Sequence, residues 1–126
     1  MRISAVNPPF LPGFSRGQRS PAVTRSGCLY YPIWLSYAVA ALEQAGHQVQ
    51  FLDSPAMGLS RERTVAMVRE FSPGLAVVET STPSIAEDVD FADELAGHGI
   101  TVLLTGTHPS ALPGETVKMG RRFAGV

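Results

Sequence analysis

The stretch from Leu75 to Gly106, LAVVETSTPSIAEDVDFADELAGHGITVLLTG, can be divided into three elements from its pattern alone. Leu75 to Val78 is a continuous apolar run, the pattern of a strand covered on both faces, and is expected to be central. Ser84 with Glu87 three residues on forms a capping box. Ile85, Val89, Ala92 and Leu95 then recur on one helical face, while Asp88, Asp90 and Glu94 take others. Gly97 and Gly99 bracket the end of that helix, and Thr101 to Leu104 is another apolar strand. Strand, helix and strand in this order form a parallel crossover unit, whose connection is right-handed.

The same alternation extends in both directions. Arg2 to Val6 is a β-rich run stopped by Asn7-Pro8-Pro9, since proline cannot donate to a ladder. Pro32 suits the first turn of a helix. Trp34, Leu35, Ala38, Ala41, Leu42 and Ala45 follow at helical spacing until Gly46. Gln48 to Leu52 alternates as a strand with Val49 and Phe51 on one face, and Ser60 caps a helix carrying Val65, Val68 and Phe71. Beyond Leu104, Gly106-Thr107-His108-Pro109-Ser110 is expected to be a turn, Pro113 opens a short helix, and Arg122 to Val126 begins a fifth strand. The pattern predicts an α/β fold: a three-layer, flavodoxin-like (Rossmann-like) parallel sheet of order 2-1-3-4-5 with helices on both faces. A chain of 126 residues makes one such domain, here residues 1–126.

In sheets of this kind ligands bind beyond the carboxyl ends of the strands, where strand order reverses. Three loops meet there: Asn7 to Tyr31, Thr80 to Ser84, and Gly106 to Pro113. The first carries several prolines and glycines, lacks periodicity and has few apolar anchors, so residues 10–30 are expected to be poorly ordered without ligand. Thr80, Ser81, Thr82 and Ser84 set four hydroxyls beside a helix amino terminus, suited to a phosphate or an amide-rich ligand, although Ser84 is needed as a cap in any case. Gly106 allows close backbone approach. His108 has the chemistry of a metal ligand, a general base or a hydrogen-bonding loop residue. The last is favoured, because no partner lies at metal-ligand spacing.

Composition narrows the functions available. Hydrophobic residues make up 44% and charged residues 17% of the chain, which excludes disorder as the main state. No apolar stretch approaches a membrane span and the amino terminus lacks a secretory pattern, so a cytoplasmic domain is expected. No nucleic-acid partner is expected. The lone Cys28 reads as an ordinary reduced thiol. Net charge is −1 but uneven: Arg2, Arg16, Arg19 and Arg25 precede any acid, and three of them sit in the first loop, where an anionic group could be held. Neither a Gly-x-x-x-x-Gly-Lys-Ser/Thr loop nor a Gly-x-Gly-x-x-Gly turn is present, and no acid–base pair or activated nucleophile stands out. No catalytic residue and no metal ligand is assigned.

Three motifs in order carry a resemblance: Asn7-Pro8-Pro9 closing the first strand; Tyr31-Pro32 leading into a helix that ends Leu42-Glu43-Gln44-Ala45-Gly46-His47; and Gly106-Thr107-His108-Pro109-Ser110-Ala111-Leu112-Pro113 after the fourth strand. Through nearly its whole length the chain resembles the amino-terminal cobalamin-binding domain of cobalamin-dependent radical S-adenosylmethionine enzymes. The resemblance implies cobalamin at the carboxyl edge of the sheet, with Asn7, Pro8, Thr80, Ser81, Thr82, Gly106, Thr107 and His108 as the cofactor-binding residues. It also implies a radical S-adenosylmethionine barrel, in cis or in trans, holding a 4Fe-4S cluster on Cys-x-x-x-Cys-x-x-Cys and carrying out methyl transfer or rearrangement. The chain reaches Val126 without that cysteine motif, so catalysis is expected to reside elsewhere. Its first loop also lacks the Asp-x-His-x-x-Gly of mutase-type domains, so no histidine from that place is expected on cobalt. The alternative is a flavodoxin-like small-ligand-binding or regulatory domain with no catalysis of its own.

Overall fold

A computed structural model describes residues 1–17 and 22–126 of the chain. The strands are β1 (Arg2–Asn7), β2 (Phe14–Ser15), β3 (Ala22–Val23), β4 (Gln48–Asp53), β5 (Leu75–Thr80) and β6 (Thr101–Gly106). The helices are α1 (Ile33–Gln44), α2 (Ser54–Met57), α3 (Arg61–Phe71), α4 (Ile85–Gly97), α5 (Thr107–Ala111) and α6 (Pro113–Met119), with one 3-10 turn at Thr82–Ser84. The four long strands form one parallel sheet in the order β4-β1-β5-β6. Counting only these predicted strands, that is 2-1-3-4, the expected order for four of the five.

The apolar runs explain why β1 and β5 are central. Ile3 to Val6 and Ala76 to Val78 are buried on both pleat directions, so each strand needs cover above and below. On one face Val6, Leu52, Ala76, Val78, Val102 and Leu104 pack against Val65 and Val68 of α3 and against Ile85, Val89, Phe91, Ala92 and Leu95 of α4. On the other face Ile3, Ala5 and Val77 pack beneath Leu35, with Val39 and Leu42 of α1 beside them. Each fully buried Val, Leu or Ile contributes about 1.5–3 kcal/mol, so the α3/α4 side supplies most of the hydrophobic stabilisation. The α1 side is thinner: Leu103, register partner of Val77, stays 37% exposed.

Several local expectations are corrected. Ser60 caps α3 through the Arg63 amide as expected, but Ser84 makes no cap bond to α4; its hydroxyl is drawn to Asp88 instead. Trp34, expected on the packed face of α1, is 71% exposed, and Leu35 takes the buried place. Gly106 to Ser110 is not a turn, because Thr107–Ala111 winds into a short helix directly after β6. The fifth strand, expected only to begin at Arg122 to Val126, is present as one parallel bridge, Leu103 to Gly125, beside β6 as expected. The first loop is not bare of anchors: Phe14, Ser15 and Arg16 are buried, and β2 pairs antiparallel with β3.

Candidate functional site

The parallel register brings the ends of β1, β5 and β6 to one edge, with Asn7 opposite Asp53 and Thr80 opposite Gly106. Gly106 has φ of +127°, and a Cβ there would be driven into the backbone carbonyl of Thr80. Only glycine allows β6 to lie this close to β5 while turning into α5.

Arg16 crosses this edge from the first loop. Its Nη1 donates to Asn7 Oδ1 at 3.0 Å and to the Pro8 carbonyl at 2.6 Å; its Nε donates to Ser84 Oγ at 3.2 Å; its Nη2 pairs with Asp88 Oδ1. Both side chains of the pair are 1% exposed. Ser84 Oγ donates to Asp88 Oδ2 at 2.6 Å, the Ser81 amide points to the same oxygen, and Asn7 Nδ2 donates to Asp53. Burial pushes the Asp88 carboxyl upward, opposed by the charge and hydrogen bonds of Arg16 and by the bonds from Ser84 and the Ser81 amide. Phe10 and Phe14 flank the guanidinium with ring centroids 5.8 and 5.6 Å away, adding a cation–π contribution.

Beside this corner a cavity of about 680 Å³ opens between α1 and the ends of β5 and β6. From α1 come Ile33, Trp34, Leu35 and Ala38, an apolar wall. Facing them are Glu79, Thr80, Thr105 and Gly106, α5 adds Thr107 and Ser110, and Arg16 and Gly17 of the first loop complete the wall. Its volume lies within the roughly 300–1,000 Å³ of small-ligand sites. The Thr80 hydroxyl is committed to the Thr105 carbonyl at 2.9 Å. Glu79 is 4% exposed, and its Oε2 is buried with no hydrogen-bond partner among the described residues. Desolvation pushes its pKa up to about 7, with Arg16 opposing and Asp53 and Asp88 adding to the rise.

The residues expected at the site are therefore divided by the structure. Thr80, Gly106 and Thr107 line the cavity. Asn7, the Pro8 carbonyl and Ser81 belong to the Arg16 corner. Thr82 is exposed, and its hydroxyl lies 3.4 Å from His108 Nδ1; His108 itself is buried, its Nε2 without a hydrogen-bond partner among the described residues, and it is not part of the cavity wall. The described residues contain no group of three or more His, Cys, Asp or Glu able to hold a metal, and none of their helices is long and apolar enough to cross a membrane. Of the arginines in the first loop, Arg16 is bound to an acid of its own chain, Arg25 is exposed, and Arg19 lies outside the described residues.

Two residues of consequence carried no sequence signal. Asp88 reads as a polar helix position until Arg16 arrives above it. Glu79 merely follows an apolar run, although its alternation with Val77 places it on the α1 face, where an acid is out of pattern.

Comparison with protein families returns one model, the B12 binding domain, over residues 19–124. No curated protein and no solved structure matches the chain. The match takes in β4, β5, β6 and the helices between them, and hence most of the cavity walls described above. The chain belongs to the B12-binding domain family.

Proposed function

We propose that the chain binds cobalamin at the carboxyl edge of its sheet and presents it to a radical S-adenosylmethionine barrel in cis or in trans. The iron–sulfur cluster and S-adenosylmethionine belong to that barrel. Support for cobalamin rests on one observation: a member of the B12-binding family has a cavity of about 680 Å³ at the carboxyl ends of β5 and β6, lined by Thr80, Gly106 and Thr107. The residues fit the cofactor's nucleotide tail. The α1 wall of Ile33, Trp34, Leu35 and Ala38 offers apolar surface to a planar base, and hydroxyls from Thr107 and Ser110 stand at the mouth for sugar and phosphate oxygens. Gly106 lets β6 lie against the Thr80 backbone and so shapes this side of the cavity. Asn7, Pro8 and Ser81 act by holding the first loop through Arg16, and Thr82 and His108 frame the adjoining edge.

When bound, cobalamin would supply cobalt–carbon chemistry for methyl transfer or rearrangement. This chain's part is to bind and orient it. The stretch from Asn7 to Tyr31 contains no histidine, so that loop would offer no imidazole to a bound corrinoid. The pairing with a radical S-adenosylmethionine barrel is supported by the Asn7-Pro8-Pro9 and Gly106 to Pro113 motifs.

The test is incubation with hydroxocobalamin followed by gel filtration, with absorbance followed across the protein peak. Cobalamin is expected to co-elute in a base-off spectrum that His108→Ala leaves unchanged. Cofactor eluting apart from the native chain would sink the reading. An imidazole-type spectrum that His108→Ala removes would place His108 on cobalt instead.

A further inference from the structure

Glu79 is the feature of the cavity that folding alone does not account for. An acid buried in an apolar strand costs desolvation energy unless it is paired, and buried polar atoms are otherwise nearly always satisfied. Arg16, which lines the same cavity, directs its donors to Asn7, Pro8, Ser84 and Asp88. Oε2 of Glu79 therefore lacks a partner among the described residues, in a wall of an open cavity. The terminal torsion of a glutamate is broad, so a small turn of the carboxyl presents that oxygen to whatever enters.

We infer that the Glu79 carboxyl hydrogen-bonds the basic ring nitrogen of the inserted nucleotide base, the two sharing one proton, and thereby retains that base away from cobalt. The inference rests on the cobalamin reading above. Its chemistry follows from the surroundings. Among the described residues, the charged groups acting on Glu79 are Arg16 from the first loop, Asp53 from the end of β4 and Asp88 from α4, and Arg16 is already paired with Asp88. Besides Glu79, the only titratable group in the cavity wall among the described residues is Arg16. A phosphate placed against Glu79 would be repelled by its carboxylate, and Arg16 is already committed to Asp88. A heterocyclic nitrogen is served whether the proton begins on the acid or on the ring: the acid O–H donates to the bare nitrogen, or the ring N–H donates to the carboxylate. The apolar α1 wall receives the faces of the same ring.

The experiment measures affinity for methylcobalamin, and for methylcobinamide, which lacks the nucleotide tail, by spectroscopic titration from pH 6 to pH 8. With Glu79 titrating at about 7 in the free chain, the complex must take up a proton above that pH. Methylcobalamin affinity is therefore expected to fall about tenfold across the range. Methylcobinamide is expected to bind more weakly at pH 6, with no slope. In Glu79→Gln, which cannot titrate, the methylcobalamin slope should vanish. A flat profile for the native chain, an equal slope in Glu79→Gln, or equal affinity for the two corrinoids at pH 6 overturns the inference and leaves cobalamin binding standing. Failure of the native chain to bind either corrinoid overturns the cobalamin reading itself, and this inference with it. The native pH profile and the corrinoid pair decide the matter without any variant.

Discussion

Asp88 and Glu79 are both buried at the carboxyl edge of the sheet within reach of the same arginine, yet the fold treats them in opposite ways. Asp88 receives Arg16, the Ser84 hydroxyl and the Ser81 amide, so its oxygens are saturated with donors. Glu79 leaves one oxygen with no partner in the wall of a cavity. The first arrangement is scaffold: it ties the loop after β1 to α4 and so fixes the entrance to the site. The second stabilises nothing in the free chain. Burial of a titratable group is thus not in itself a functional signal; burial without satisfaction, beside open space, is the more telling one.

The largest effect should come from breaking the satisfied corner. Asp88→Ala strands the Arg16 guanidinium in the interior, and losing one partner of a buried pair costs about 3–5 kcal/mol, a large part of the stability of a small domain. Urea unfolding measures it. The double variant Arg16→Met/Asp88→Leu, which leaves no orphan charge, is expected to lose less than Asp88→Ala alone. A loss below about 1 kcal/mol for Asp88→Ala would show that the corner is not scaffold and would erase the contrast with Glu79.

A smaller effect, with a distinct pH signature, is expected at Glu79. Below pH 4.5, the ordinary value for a glutamate, the acid is protonated in both folded and unfolded chains. Between pH 4.5 and about 7 the unfolded chain ionises while the folded chain keeps its proton, so stability falls as pH rises, and the loss is complete above the folded value. At about 1.4 kcal/mol per unit the difference amounts to about 3 kcal/mol. Glu79→Gln should remove this part of the slope, unfolding at a higher temperature than the native chain at pH 8 and showing less advantage at pH 4. Parallel curves for the two chains across that range would mean that Glu79 is satisfied after all.

The smallest effect sharpens the comparison with a third carboxylate. Asp93 accepts the backbone amides of Arg121, Arg122 and Phe123, a satisfied acid like Asp88, but it is half-exposed, so water can replace what is lost. Asp93→Ala is expected to cost about 1 kcal/mol. The cost should appear locally, as faster amide exchange at Phe123 to Gly125 with β5 unchanged. Global destabilisation as large as that of Asp88→Ala would show that exposure does not set the scale.

The elements themselves were legible because their signals are local. Proline after Asn7, the serine cap at Ser60, the apolar runs of β5 and β6 and the glycines closing α1 and α4 each act within one turn or one strand. The errors fell where a distant group overrode the local rule. The Ser84 hydroxyl leaves its cap for Asp88, which an arginine from 72 residues away holds in place. Likewise, Trp34 follows the apolar period of α1, but the sheet beneath takes Leu35 and leaves Trp34 71% exposed.

What the sequence determined by itself is the alternation of strands and helices, the parallel sheet that follows from it, and the edge at which the loops gather. Each rests on periodicity and on short-range sterics, and neither changes with the identity of distant neighbours. Only the tertiary structure decided which of the polar residues at that edge are committed and which are available. Arg16 could have held a ligand's anion and instead holds Asp88; Asn7 and Ser81 are drawn in with it. Glu79 passed for the end of a strand until the fold closed an apolar wall opposite and left its oxygen without a donor. The physical reason is that hydrogen-bond satisfaction and desolvation are properties of a three-dimensional surrounding, assembled from segments that no local window contains together.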